Sequence, residues 1–140
     1  MFNFQALLND VLVEKSKSFH DLESEGIICE RSYYQFDEFT PFLSTVIKIA
    51  NYLEVSLDYL AGRATHNNFR RYKNSQTNIS QNIAKVLKER KISQRQLERD
   101  TDVSRTNFVR WKNGSMPKFS TLVEIANYLK CSLDDFLEIE

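Results

Sequence analysis

The sequence lacks the features of disulfide-bonded, membrane-bound and secreted proteins. Of its 140 residues only two are cysteines, Cys29 and Cys131, and they are too far apart to form a paired metal-ligand motif. No apolar run approaches the ~20 residues that a helix needs to span a bilayer. The N-terminal stretch MFNFQALLND has neither the basic start nor the small-residue cleavage site of a secretion signal. These absences predict a reduced, cytoplasmic protein with no membrane association.

Clusters of catalytic or metal-binding residues are missing too. His20 and His66 have no partners at a ligand-like spacing, and no nucleophile, base or metal cluster stands at a workable spacing. Apolar residues make up 41% of the chain and charged residues 27%, values typical of a globular protein rather than a disordered one. We therefore expect a folded protein that is not an enzyme and that needs no metal and no cofactor.

A repeat is the main positive feature of the sequence. The segment IANYL at 49–53 returns at 125–129, a shift of 76 residues that also relates Pro41 to Pro117. Earlier residues align at a shift of 75, such as Leu22 with Leu97. The one-residue difference predicts a loop before Pro41. Such self-similarity indicates two copies of one structural unit.

Each copy is predicted to be helical. Ile79, Ile83 and Val86 have the spacing of one helical face, and no segment alternates between apolar and polar residues with a period of two. Polar capping residues precede three of the later helices: Ser93, Ser104 and Ser132. The expected fold class is all-α. It comprises two tandem five-helix domains, residues 1–62 and 77–140, joined by a polar, basic linker at 63–76.

Two short helices in the second copy are predicted to be joined by a tight turn. They span residues 94–100 and 105–112. Four apolar residues are placed to face the core: Leu97, Val103, Phe108 and Trp111. The opposite face of the second helix then exposes another set: Arg105, Thr106, Val109, Arg110 and Asn113. A helix of this size fits the major groove of DNA, where arginine can bond to guanine and an apolar tip can contact a thymine methyl.

Both copies resemble the Cro/phage-repressor (XRE-type) helix-turn-helix family. In the second copy the resemblance rests on S-Q-x-x-L at 93–97, V-S at 103–104, W-K-N-G at 111–114, Pro117 and I-A-N-Y-L-x-x-S-L-D-D at 125–135. In the first it rests on K-I-A-N-Y-L at 48–53 and S-L-D-Y-L-A-G-R at 56–63. The resemblance implies a lambda-repressor-like fold and sequence-specific binding of double-stranded DNA, usually as a dimeric transcriptional repressor. Asp102 departs from the glycine usual in the family's turn, but aspartate tolerates a left-handed conformation.

The resemblance also assigns roles to individual residues of the second copy. We expect base contacts from Arg105, Thr106, Val109 and Arg110. We expect phosphate contacts from Gln94, Asn107, Lys112, Asn113 and Lys118, with Asn107 able to contact a base instead.

The charge distribution separates the two copies. Residues 79–118 hold ten Lys/Arg and four Asp/Glu, a net charge of +6, whereas residues 1–62 hold four and ten, a net charge of −6. In the first copy Glu30 stands at the position of Arg105, and Asp37 at that of Lys112. Because phosphate contacts dominate affinity for nucleic acid, only the second copy is expected to bind DNA.

The first copy is expected to have become an interaction surface. Its aromatic residues near positions that the family exposes are Phe19, Tyr34, Phe39 and Phe42. We expect them to join a homodimer, with another protein as the possible partner instead. Two alternatives remain at this stage. The chain could be an adaptor or antitoxin-type module that reuses the helix-turn-helix scaffold without DNA, or a monomer with both domains on DNA.

Overall fold

The structure is a computed structural model that describes residues 2–29 and 40–140. Within these residues the chain forms eight α-helices and no strand, so the predicted all-α class is confirmed. The helices are α1 (Phe4–Glu14), α2 (Phe19–Ser24), α3 (Leu43–Leu53), α4 (Leu57–Leu60), α5 (Ile79–Glu89), α6 (Gln94–Asp100), α7 (Arg105–Lys112) and α8 (Phe119–Leu129). The predicted third helix of the first copy lies outside the described residues, as do Glu30, Tyr34, Asp37 and Phe39.

The last helix differs from its prediction. Residues Leu133–Phe136, called η1 below, form a single 3₁₀ turn rather than an α-helix. Ser132 caps it as expected, since its hydroxyl accepts from the backbone N–H of Asp134 at 3.1 Å. After four residues the chain becomes extended at Leu137 and pairs with the linker, which leaves no room for an α-helical turn to propagate.

The turn between α6 and α7 does not depend on a left-handed residue. The φ angle of Asp102 is not positive, and Thr101 is extended with φ at −133°. Instead, the Thr101 hydroxyl donates to the carbonyl of Leu97 at 2.7 Å and accepts from the N–H of Val103 at 3.2 Å. The threonine side chain therefore supplies the hydrogen bonds that hold the turn together.

Apolar residues of the two halves meet in one core. The four residues predicted to face it in the helix-turn-helix segment are confirmed: Leu97, Val103, Phe108 and Trp111 are at most 8% exposed. Phe4 of α1 contacts Phe119 of α8 edge to face, with ring centroids 5.7 Å apart. Both side chains are fully buried, so residues 115 positions apart in the chain help to join its halves.

The chain segments that lead into α3 and α8 make reciprocal hydrogen bonds at the start of each helix. The N–H of Leu43 donates to the carbonyl of Pro117, and the N–H of Phe119 donates to the carbonyl of Pro41, both at 2.9 Å. Phe42 and Lys118 form the antiparallel bridge between them. Each residue in these bonds has its counterpart 76 positions away, which is the spacing of the sequence repeat.

A second reciprocal contact packs α4 against η1. The carboxylate of Asp58 accepts from the N–H of Leu133 at 3.2 Å and from the hydroxyl of Ser132 at 2.6 Å, and it pairs with Arg63. On the other side the counterpart of Leu133 is Leu57. The N–H of Leu57 does not contact Asp134, the counterpart of Asp58, directly. The hydroxyl of a linker tyrosine lies between them and bonds to both.

That tyrosine, Tyr72, ties the linker to both halves. Its hydroxyl accepts from the N–H of Leu57 at 2.9 Å and donates to the carboxylate of Asp134 at 2.6 Å. Its backbone N–H and C=O bond to the side chain of Asn51 at 3.0 and 2.9 Å, and it bridges to Ile139. The side chain is 1% exposed. The linker is thus packed at Tyr72 between the two halves.

Replacing Tyr72 with phenylalanine should lower the free energy of unfolding by about 1–3 kcal/mol. The change keeps the ring but leaves the Leu57 N–H and the Asp134 carboxylate without their buried partner. Denaturant unfolding followed by circular dichroism measures the difference. Tyr128→Phe is the matched control, because the Tyr128 hydroxyl donates to Asp100 at an exposed position and its loss should cost less than about 0.5 kcal/mol. Equal losses in the two variants would contradict the role given to Tyr72.

The same tyrosine predicts an alkaline dependence of stability. Burial and the hydrogen bond to Asp134 raise the pKa of the Tyr72 hydroxyl above its ordinary value of 10.0. Above that pH the unfolded chain loses a proton that the folded chain keeps. The contribution of the Tyr72 hydroxyl to the free energy of unfolding is therefore fully present below pH 10.0 and falls as the pH rises further. The Tyr72→Phe variant should lose less stability than the wild type above pH 10.0, and an identical loss would contradict this assignment.

Candidate DNA-binding surface

Helix α7 begins at a well-formed cap. The hydroxyl of Ser104 accepts from the N–H of Asn107 at 3.3 Å, and the Asn107 side-chain oxygen accepts from the Ser104 N–H at 2.8 Å. This reciprocal pair fixes the first turn, in which Arg105 and Thr106 stand exposed. Because the Asn107 oxygen is committed to the cap, its amide NH₂ is the part able to donate to a phosphate.

Two buried aromatic side chains fix the rotation of α7 about its axis. Phe108 and Trp111 pack edge to face with ring centroids 5.2 Å apart. The opposite face therefore points away from the core, and all four predicted base-contacting residues on it are exposed: Arg105, Thr106, Val109 and Arg110. Val109 is 50% exposed, which is unusual for a large apolar residue in the described part of this chain. An apolar side chain held out to solvent is available to contact a thymine methyl.

A groove of about 380 Å³ lies between α7, α5 and the start of α6. It brings together predicted phosphate- and base-contacting residues, since Gln94, Arg105, Val109 and Lys112 all line it. From α5 it is lined by Ser80, Gln81, Ala84 and Leu87. Arg110, Asn113 and Lys118 do not line this groove, although all three are exposed.

The side chain of Gln94 already has a hydrogen-bond partner in the structure. Its side-chain NH₂ donates to the carboxylate of Glu98 at 2.9 Å, one helical turn further along α6. This bond uses one of the two N–H donors of the Gln94 amide and leaves the other for a phosphate, whose approach the Glu98 charge would oppose. The sequence analysis missed this partner, although the i, i+4 spacing of the two residues on one helix was the signal that could have found it.

Asn113 and Lys118 border the loop between α7 and α8. Asn113 ends α7 and Gly114 follows at φ +102°, a conformation that favours glycine and reverses the chain. Lys118 immediately precedes α8 and lies at the bridge to Phe42. Phe42, predicted to belong to an interaction surface, is 55% exposed there. Phe19 of that same predicted surface is half-buried.

The basic side chains assigned to DNA have no acidic partners within the described ranges 2–29 and 40–140. Arg105, Arg110, Lys112 and Lys118 form no ion pair there. Arg99 differs, because it is bonded to Asp100 at 3.0 Å and holds the pKa of that carboxyl below its usual value. The charges on α7 therefore remain available to a polyanion.

Helix α6, the turn after it and α7 have the arrangement of a helix-turn-helix, and the comparison with known families agrees with it. Residues 82–140 match the family described as the Cro/C1-type HTH DNA-binding domain. No curated protein and no solved structure matches the chain. The match supports a DNA-binding regulator of the XRE type, and it covers the half that carries α7. None of the helices in the described ranges has the length and hydrophobicity that a bilayer-spanning helix requires.

Replacing Ser104 with alanine should cost about 1 kcal/mol of stability and weaken DNA binding. The variant removes the hydroxyl that accepts from the third residue of α7, so the first turn that carries Arg105 loosens. Thermal unfolding and DNA titration measure the two effects. Ser115→Ala, an exposed serine in the loop after α7, is the control and should change neither. Unchanged DNA binding in a destabilised Ser104→Ala protein would show that the first turn does not contact the duplex.

Proposed function

We propose that this protein is a sequence-specific, double-stranded DNA-binding transcriptional regulator that acts as a repressor in the cytoplasm. It is a binding protein rather than an enzyme. Helix α7 enters the major groove with its exposed face toward the base edges. The observation that carries the proposal is the orientation of α7. Two buried aromatic side chains hold one face inward, and two arginines that form no ion pair with any described residue project from the other face.

The proposed contacts fall into two groups. Arg105, Thr106, Val109 and Arg110 read bases, because they lie on the free face of α7 from its first turn onward. The phosphate contacts fix the position of the helix on the duplex: Gln94, Asn107, Lys112, Asn113 and Lys118.

Residues 1–62 are proposed to be a second copy of the unit that no longer reads DNA. Helices α3 and α8 have equal lengths of 11 residues. Each ends at a non-glycine residue with positive φ, Glu54 or Lys130, which are 76 positions apart. The DNA-facing positions have been replaced, with Phe19 at the position of Gln94 and Phe42 at that of Lys118. Such replacements retain the scaffold and remove the phosphate contacts.

A mobility-shift titration of the full chain with mixed duplex DNA tests the proposal. We expect binding that weakens linearly on a log–log plot against salt concentration, with about 0.9 added to the slope per phosphate neutralised. The double variant Arg105→Ala, Arg110→Ala should lose sequence preference and part of that slope. An adaptor that reuses the scaffold without DNA predicts no shift at low salt, and that result would overturn the proposal.

Two stoichiometries fit this function. The sequence predicts a homodimer joined mainly through residues 1–62, with Phe42 as its most exposed described aromatic side chain. This homodimer remains a prediction. The second possibility is a single chain on each site, and the reciprocal contacts between the two halves favour it.

The bridge between Phe42 and Lys118 predicts the effect of restoring a charge. Phe42→Lys should bind any duplex more tightly and steepen the salt slope by about 0.9, because the new ammonium stands beside a lysine assigned to phosphate. Salt titration of the two proteins measures the change. Val13→Lys makes the same charge change at an exposed apolar position of α1 and should leave the slope unaltered. An equal steepening of the salt slope in both variants would show that the effect comes from the added net charge and not from the position of residue 42.

A further inference from the structure

The two halves of the chain contact each other as two subunits of a symmetric dimer would. In a twofold dimer the same patch meets itself, so every contact between residues i and j is repeated between j and i. The pair formed by Leu43 with Pro117 and Phe119 with Pro41 has this reciprocity, at equal distances of 2.9 Å. The members of each pair exchange places when 76 is added or subtracted.

Two contacts lie on the pseudo-twofold axis, because in each an element meets its own counterpart. Phe42 bridges to Lys118, and α4 packs against η1. Two such self-equivalent contacts define the direction of the axis through the molecule. The halves are therefore related by a rotation of about half a turn, the relation found between the two heads of dimeric DNA-binding proteins.

The two halves are held together by largely buried polar contacts. Asp58 and Arg63 are only 15% and 18% exposed, and Arg63 also donates to Asn127 and to the carbonyl of Cys131, at 2.7 and 2.8 Å. Tyr72 closes the other side of the axis. Because the linker keeps the halves together, pairing is intramolecular and needs no second chain.

The symmetry does not extend to the surface that would meet DNA. On the axis Lys118 faces its counterpart Phe42, and at the start of α6 Gln94 corresponds to the half-buried Phe19 of α2. At these two positions the first half packs against the second but lacks the side chains that the second half is proposed to use for phosphate contacts. A symmetric pair with one reading head requires only half of a symmetric operator.

We infer that one chain serves as its own dimer and binds, as a single copy, a duplex that carries one half-site and no inverted repeat of it. This inference rests on the proposed DNA-binding function and names its target class. The usual need for a second subunit, to fill the place across the twofold axis, is met by residues of the same chain.

Selection of duplexes from a pool with a random stretch of about 30 base pairs tests the inference with the full chain. That length accommodates two half-sites one helical turn, ~34 Å, apart. We expect one contiguous, non-palindromic motif, and sedimentation of the selected complex at one chain per duplex. Selection with Arg110→Ala should relax the motif at one position, whereas a homodimer relaxes two positions related by symmetry.

The outcomes separate the inference from the function on which it rests. An inverted repeat among the selected duplexes, occupied by two chains or spanned by one, overturns the single half-site while leaving DNA binding intact. A pool with no enrichment overturns the proposed function, and the inference with it. Enrichment of a lone half-site bound by one chain supports both.

Discussion

Replacing Asp58 with alanine is expected to lower the free energy of unfolding by about 3 kcal/mol, near the low end for breaking a mostly buried ion pair. The variant leaves Arg63 without its acidic partner and removes the acceptor for the Leu133 N–H and the Ser132 hydroxyl. Since the carboxylate joins α4 to η1, the loss falls on the contact between the halves.

Calorimetry and denaturant titration measure this loss. The wild type should unfold in one transition, whereas Asp58→Ala should unfold earlier, with a broadened or divided transition. Asp10→Ala removes a carboxylate from the exposed face of α1 and is the matched control, expected to stay within about 0.5 kcal/mol of the wild type. An Asp58→Ala protein as stable as Asp10→Ala would show that the pairing contributes little, and it would weaken the case for a self-contained dimer.

Arg110→Ala is expected to cost about 1–3 kcal/mol on the best DNA site and to relax base preference at one position. The side chain projects from the exposed face of α7 and forms no ion pair within the described ranges, so its loss should leave the fold intact. The affinities of the variant for the selected site and for single-base variants of that site measure the effect.

Gln94→Ala provides the comparison for that experiment. Its side chain is assigned to a phosphate, which carries no base identity, so all duplexes should weaken about equally. The variant also loses the bond from Gln94 to Glu98, but this is an exposed i, i+4 contact on the helix surface, so the loss should cost no more than about 0.5 kcal/mol of stability. If Arg110→Ala leaves the affinity for the selected site unchanged, the reading face of α7 is assigned wrongly.

Local structure was predictable from the sequence because its causes are local. The caps at Ser93 and Ser104 follow from a hydroxyl three residues before an amide side chain. The burial of Phe108 and Trp111 follows from helical spacing. The turn at Asp102 was predicted to form, but its cause was not, because the hydroxyl of Thr101 rather than a left-handed aspartate holds it.

The contacts between the halves could not be derived in the same way. The repeat indicates two similar units, but it does not say which of their faces meet. Asp58 and Tyr72 find partners 62 to 75 residues away, and no local pattern encodes such pairs.

Mapping amide chemical shifts of the full chain during titration with a selected duplex tests the central claim most directly. We expect the largest chemical-shift changes in α7 and at Gln94, Asn113 and Lys118. The shifts of α1 and α2 should stay essentially unchanged. Equal or larger changes across residues 4–24, with α7 undisturbed, would contradict the assignment of the DNA-binding surface to the second half.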